Sequence, residues 1–209
     1  KLNGANAVVV NGSYAYVSNA VADTLTVIDV SNPDKPVIVN STTSATQLDN
    51  IASMYLSGKY IYASSRDDDL ITIIDISVPT VPRIVSSTAT DSTDLNDPWE
   101  IVVQGKFAYV THRLGIGAPA SGAGMTIYDI SNPNAIVKAS TTASTSSIND
   151  ARGLDVAGGY AYVAGIISDS LTIFDISSST APVEVGTVKE PIRMNGATNV
   201  KVVGKYAYV

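Results

Sequence analysis

The 209-residue sequence reads as an all-β propeller: four complete blades of four antiparallel strands each, followed by the first two strands of a fifth. One segment, Tyr14 to Val30 (YAYVSNAVADTLTVIDV), returns in near-copies three more times, and its opening returns once again. Its first aromatic recurs as Tyr14, Tyr60, Phe107, Tyr160 and Tyr206, at steps of 46, 47, 53 and 46 residues. Its aspartate recurs as Asp29, Asp75, Asp129 and Asp175, at steps of 46, 54 and 46 residues. A repeat of about 45 residues holding four short strands has the size of one propeller blade. No stretch carries a 3.6-residue apolar period, so no helix is expected.

In the first copy, strands are expected at Asn6 to Val10, Tyr14 to Ser18, Leu25 to Val30 and Pro36 to Thr42. Turns fall at Asn11-Gly12, in the loop through Asp23 and at Ser31-Asn32-Pro33, where Gly and Asn supply positive φ and Pro fixes its own. Alternation places Tyr14 and Tyr16 on one face of the second strand and Ala15 and Val17 on the other. Both faces are apolar, as they are in the third strand. Such a strand needs a sheet on each side. A lone blade is not stable: its large apolar side chains contribute on the order of 10–15 kcal/mol, against roughly 1–2 kcal/mol per residue to order the backbone. A single domain is expected, with blades at 3–48, 49–95, 96–148 and 149–194 and a partial blade at 195–209. The third copy holds 7 extra residues between His112 and Gly124.

Each repeated aspartate sits in (I/Y/F)-D-(I/V)-S, and in the first three copies a Pro follows two residues after the Ser. This is the pattern of a carboxylate accepting hydrogen bonds from turn amides. The fourth copy has Ser178-Ser179 instead, which predicts a looser turn.

Gly12-Ser13-Tyr14-Ala15-Tyr16-Val17, followed by Leu25-Thr26-Val27-Ile28-Asp29-Val30-Ser31-Asn32-Pro33, resembles the LVIVD repeat, a propeller-forming repeat of bacterial and archaeal surface or secreted proteins. The resemblance covers essentially the whole chain. It implies the propeller fold and an extracellular or cell-surface location, and it implies no shared catalytic residues. Phe107 in place of Tyr, the insertion in copy three and the missing Pro in copy four depart from the pattern.

There is no Cys, so there is no disulfide frame, and the longest apolar runs are of strand length, too short for a membrane-spanning helix. The sequence opens on Lys1 without a signal peptide, as a mature product or a fragment would, and Asn11-Gly12-Ser13 and Asn40-Ser41-Thr42 are glycosylation sequons if the chain is exported. Because it stops within a strand, further blades of a longer propeller, roughly six to eight in all, are expected. The alternative is strand addition from another chain, which is self-association through the open blade edge.

The loops joining second to third strands and blade to blade share one face of a propeller. Here that face carries Asp23, Asp49, Asp67, Asp68, Asp69, Asp91, Asp94, Asp97, Asp150, Asp169 and Glu190 against Lys1, Arg66, Arg113, Arg152, Lys189 and Arg193: eleven acids, six bases and a net charge of −5. An acidic mouth disfavours nucleic acid as a partner, so none is expected, and it tolerates cations, sugars or basic partners. Asn3, Asp49, Asn96, Asn149 and Asn195 stand 11 residues before the five aromatics and form a ring of oxygens, read as turn builders rather than as a cation site. Calcium is the one cofactor the sequence offers, with Asp67, Asp68, Asp69, Asp94 and Asp97 as oxygen donors but without the glycine and terminal glutamate of an EF-hand loop.

Eight residues before each aromatic the copies carry Asn6, Ala52, Trp99, Arg152 and Thr198, and Trp99 is the only tryptophan. It is suited to stacking on a sugar or anchoring a partner, and equally to filling a gap between blades. Near it are expected the sole histidine, His112, read as a loop residue, with Arg113 and the glycine-rich insertion Leu114 to Gly124. The ligand-binding candidates are therefore Trp99, His112, Arg113, Arg66, Asp68 and Arg152. No metal site follows from a single histidine without cysteine, and no nucleophile elbow or phosphate-cradling loop is present. The expected function is a noncatalytic extracellular or cell-surface module for protein or glycan binding or for surface assembly. The alternative is a propeller hydrolase or lyase acting on a polysaccharide, with His112, Arg113 and neighbouring acids as its site.

Overall fold

The computed structural model describes residues 2–113, 124–143 and 147–209. The strands of the first blade are β1 (Ala5–Asn11), β2 (Tyr14–Asn19), β3 (Thr24–Asp29) and β4 (Val37–Thr43). Those of the second are β5 (Ile51–Ser57), β6 (Tyr60–Ser65), β7 (Leu70–Asp75) and β8 (Arg83–Ser87). The third holds β9 (Pro98–Gln104), β10 (Phe107–His112), β11 (Gly124–Asp129) and β12 (Val137–Ala143). The fourth holds β13 (Ala151–Ala157), β14 (Tyr160–Gly165), β15 (Ser170–Asp175) and β16 (Val183–Lys189), and the partial blade holds β17 (Lys201–Val203) and β18 (Tyr206–Tyr208). No helix occurs among the described residues.

Within each blade the strands are hydrogen bonded in chain order, and every pairing is antiparallel, as in β2 with β3, where Tyr14 faces Asp29 and Asn19 faces Thr24. The first strands touch from blade to blade, β1 with β5, β5 with β9 and β9 with β13. They form the inner wall of the propeller, and the fourth strands lie outside.

The core lies between blades, as the two-faced apolar strands require. Tyr16, Leu25 and Val27 of blade one pack on Met54, Ile61, Ala63 and Ile74 of blade two. Tyr62, Ile71 and Ile73 of blade two then pack on Ile101, Ala108, Val110 and Tyr128 of blade three. Tyr109, Met125 and Ile127 continue onto Leu154, Ala161, Val163 and Phe174 of blade four. Each fully buried side chain of this size contributes roughly 1.5–3 kcal/mol. The same two faces are uncovered at the ends of the arc: Val8 and Val10 of blade one, and Tyr206 and Tyr208 of the partial blade, are exposed.

The repeated aspartates act as turn organisers. The amides of Ser31, Ser77, Ser131 and Ser177 donate to Asp29, Asp75, Asp129 and Asp175 at 2.8, 2.7, 2.9 and 2.8 Å. Hydrogen bonds from the Ser31, Ser77 and Ser131 hydroxyls and amides hold Asp29, Asp75 and Asp129 below the usual carboxylate range. The fourth turn is closed by the same bond as the others, from the Ala181 amide to the Ser178 carbonyl, but at 3.2 Å against 3.0, 2.8 and 2.9 Å in the first three. The preceding blade uses the backbone of this turn, not its proline ring. Ser86 donates to the Pro133 carbonyl at 2.5 Å, and Ser140 donates to the Ser179 carbonyl in the same way at 2.7 Å.

Candidate functional site

The inner strand of each complete blade carries an extra residue near its start. In blade three the register steps from Pro98 opposite His112 to Ile101 opposite Val110, so Trp99 and Glu100 together face Thr111. A bulge of this kind turns a side chain away from regular alternation. The residue opposite supplies a hydroxyl that stitches the bulge. Thr111 Oγ1 accepts from the Glu100 amide at 3.1 Å and donates to the Arg152 carbonyl of the next blade at 2.7 Å. Ser64 does the same in blade two, accepting from the Ser53 amide at 3.1 Å and donating to the Trp99 carbonyl at 2.8 Å. Ser18 accepts from the Ala7 amide at 2.9 Å. The signal was present in the sequence as Ser18, Ser64 and Thr111, each four residues after its aromatic, with Ala164 breaking the series.

Around Trp99 the structure gathers three guanidiniums from three blades. Arg66, just after β6, lies 4.5 Å from the centre of the indole ring, Arg152 of β13 lies 4.3 Å from it, and Arg113, just after β10, lies 5.6 Å away. These are cation–π distances. Two carboxylates fix the guanidiniums. Arg66 Nε is 2.6 Å from Asp97 Oδ1, Arg113 Nη1 is 2.9 Å from Asp97 Oδ2, and Arg113 Nε is 2.7 Å from Asp150 Oδ1. Arg152 Nη2 completes the network at 3.3 Å from Asp150 Oδ2. Asp97 and Asp150 reach this position because each closes its blade-to-blade loop in the left-handed region, with φ of 47° and 54°. Short polar side chains tolerate that backbone better than most non-glycine residues. Every member of the network is part-exposed except the Asp150 carboxylate, which is 8% exposed.

Four of the sequence candidates, Trp99, Arg66, Arg113 and Arg152, thus meet in one cluster. Two do not join it. His112 is the last residue of β10, paired with Gly124 and Pro98, and is fully buried. It is a strand residue and not a loop residue, because the hairpin runs one register further than the apolar pattern suggested. Asp68 belongs to a separate acidic group, where its Oδ2 accepts from the Asp49 amide at 3.3 Å. In that group burial, a hydrogen bond with Asp23 and the charges of Asp23, Asp67 and Asp68 push the Asp49 carboxyl up to about 6. Most of the insertion, residues 114–123, lies outside the described residues, as does Lys1.

The proposed calcium donors are engaged with the protein. Asp67 accepts from Asn50 Nδ2 at 3.1 Å, Asp69 accepts from the Asp97 amide at 2.8 Å, and Asp94 holds Lys138 Nζ at 2.6 Å. Among the described residues no group of three or more His, Asp or Glu side chains is arranged to hold a metal ion. In the ring of oxygens, the turn is made by the residue that follows: Asn50, Asp97 and Asp150 take the positive φ. Asn96 Oδ1 and Asn149 Oδ1 are buried beside that turn without a hydrogen-bond partner among the described residues.

Comparison with known proteins agrees with the repeat. A family model described as the LVIVD repeat matches residues 4–44, 51–90, 97–141, 149–190 and 196–209. The chain belongs to the LVIVD-repeat family. No curated protein matches the sequence. Among solved structures, this LVIVD chain is similar to a functionally unknown protein from Desulfotomaculum acetoxidans (15% identity, TM-score 0.72, covering 92% of this chain and 60% of that one). It is also similar to a protein from Lactobacillus plantarum (11% identity, TM-score 0.71, 88% and 55%) and to Sqt1 of Saccharomyces cerevisiae (6% identity, TM-score 0.69, 98% and 53%). At such identities the likeness extends to the fold alone. The LVIVD chain spans 53–60% of the length of these three structures.

Proposed function

We propose that this LVIVD-repeat chain is a noncatalytic extracellular or cell-surface module that binds a protein or glycan partner at the Trp99 cluster. One observation carries the reading: the cluster occupies only the boundaries on either side of blade three. Where Arg66 pairs with Asp97 and Arg113 with Asp150, the first boundary has Ala20 and Asn50 and the last has Ile166 and Gly196. In a repeat protein, features common to all copies belong to the scaffold. A charged, aromatic and part-exposed group confined to two boundaries meets a separate requirement. Indole, guanidinium and carboxylate are recognition groups.

The test of binding is a glycan and peptide array probed with the wild-type chain and with Trp99→Ala and Arg152→Gln. Binding that disappears in both variants supports the reading, whereas binding unchanged in both overturns it.

The hydrolase or lyase alternative has its own supporting observation, the Asp23 and Asp49 carboxyl pair with Asp49 near 6, a value suited to proton transfer at neutral pH. Polysaccharide turnover abolished in Asp49→Asn and retained in Trp99→Ala would favour that alternative.

A further inference from the structure

We infer that the Trp99 cluster takes a peptide segment bearing one carboxylate flanked by basic residues, an inference that rests on the cluster being the binding site. The local charge decides the central group. Three guanidiniums meet two carboxylates, which leaves one positive charge unbalanced among Arg66, Arg113, Arg152, Asp97 and Asp150. Each guanidinium has five N–H donors. Arg66, Arg113 and Arg152 each direct two of them to Asp97 or Asp150. The remaining donors belong to side chains 20–24% exposed, within reach of an incoming oxyanion. A carboxylate matches the planar guanidinium fork.

The surroundings decide what flanks that carboxylate. Asp69 abuts the cluster, since it accepts from the Asp97 amide at 2.8 Å, and Asp67, Asp68 and Asp49 continue along the same loops. Asp91 and Asp94 precede Asp97 in the same linker and share Lys138. A polyanion would meet repulsion from this rim, which disfavours polyuronates as well as nucleic acid. A single acid with basic neighbours satisfies centre and rim together, and a protein segment supplies that alternation of sign. Charge complementarity of this type governs specificity and rate of encounter.

Because Trp99 is the only tryptophan, its fluorescence reports on the site without a label. The experiment titrates the whole chain with three capped peptides, Lys-Gly-Glu-Gly-Lys, Lys-Gly-Gln-Gly-Lys and Glu-Gly-Glu-Gly-Glu, and with a glucuronate disaccharide, exciting Trp99 selectively. The Lys-Gly-Glu-Gly-Lys peptide is expected to bind at least tenfold more tightly than the other two peptides. Its affinity should fall at least fivefold in Arg152→Gln and fall again in 0.5 M salt. Thermal melts first establish that Arg152→Gln is folded. Equal affinity for the Glu and Gln peptides, or preference for the all-acid peptide, overturns the inference. If the disaccharide binds and no peptide does, the site stands and the peptide inference fails. If nothing perturbs Trp99 while array binding persists in the Trp99→Ala variant, the site itself is wrong.

Discussion

Ser64 joins blade two to Trp99: its hydroxyl donates to the Trp99 carbonyl at 2.8 Å and accepts from the Ser53 amide at 3.1 Å. A fully buried hydroxyl thus fixes both the bulge in its own blade and the strand that presents the indole in the next. Ser64→Ala is expected to cost about 1–2 kcal/mol, because a buried amide and a carbonyl each lose a partner. The fold should survive, since blade four keeps the same bulge with Ala164 at this position. Chemical denaturation measures the cost, and a shifted Trp99 emission maximum in the folded variant would report the loosened strand.

Asp49 gives a pH dependence of definite sign. Its carboxyl is raised from 3.8 to about 6 by burial, by its hydrogen bond with Asp23 and by neighbouring charge. The folded state therefore binds that proton more tightly than the unfolded chain, so folding is favoured as pH falls through 6 and penalised above it. Asp49→Asn removes the penalty and supplies a permanent donor toward Asp23. After allowance for solvent screening, a gain of about 1 kcal/mol, or about 2–4 °C in Tm, is expected at pH 7.5. No gain is expected at pH 4. Melting curves of both proteins at the two pH values check this.

Asp75 has the opposite sign. Hydrogen bonds from Ser77, with Lys59 Nζ at 3.2 Å, hold it below 3.8. Its contribution is fully present above the unfolded value of 3.8 and is lost as pH falls through the lower folded value. Asp75→Ala is expected to destabilise the protein by about 1–2 kcal/mol at pH 7. Acid titration should show the deficit closing below pH 4.

Gly153 marks a close approach of backbones. A Cβ there would lie 2.5 Å from Asn199 Cα and 2.9 Å from the Val200 amide nitrogen, with no flexible side chain to yield. Gly153→Ala is expected to push β17 from β13 at a cost of about 1–3 kcal/mol. Faster hydrogen exchange in residues 201–208, with blades two and three unchanged, would be the signature. Uniform exchange throughout would contradict it.

The fold was legible in the sequence because repetition and alternation are one-dimensional signals. The spacing of Tyr14, Tyr60, Phe107, Tyr160 and Tyr206 counted the blades, and the apolar character of both strand faces required neighbours on each side. The turn role of Asp29, Asp75, Asp129 and Asp175 followed from the residues around them. The internal comparison also singled out Trp99 and Arg152 as departures from the pattern.

Only the tertiary structure decided what those departures do. Arg66 and Asp97 are 31 residues apart and Arg113 and Asp150 are 37 apart, and each pair meets because one blade's hairpin end overhangs the next blade's entry loop. No sequence period encodes that overhang. The same three-dimensional fact buried His112, whose strand continued one pairing beyond the apolar run, and assigned Asp68 to an acidic group of its own. Local patterning specified the blades, whereas the chemistry at the mouth arose from contacts between them.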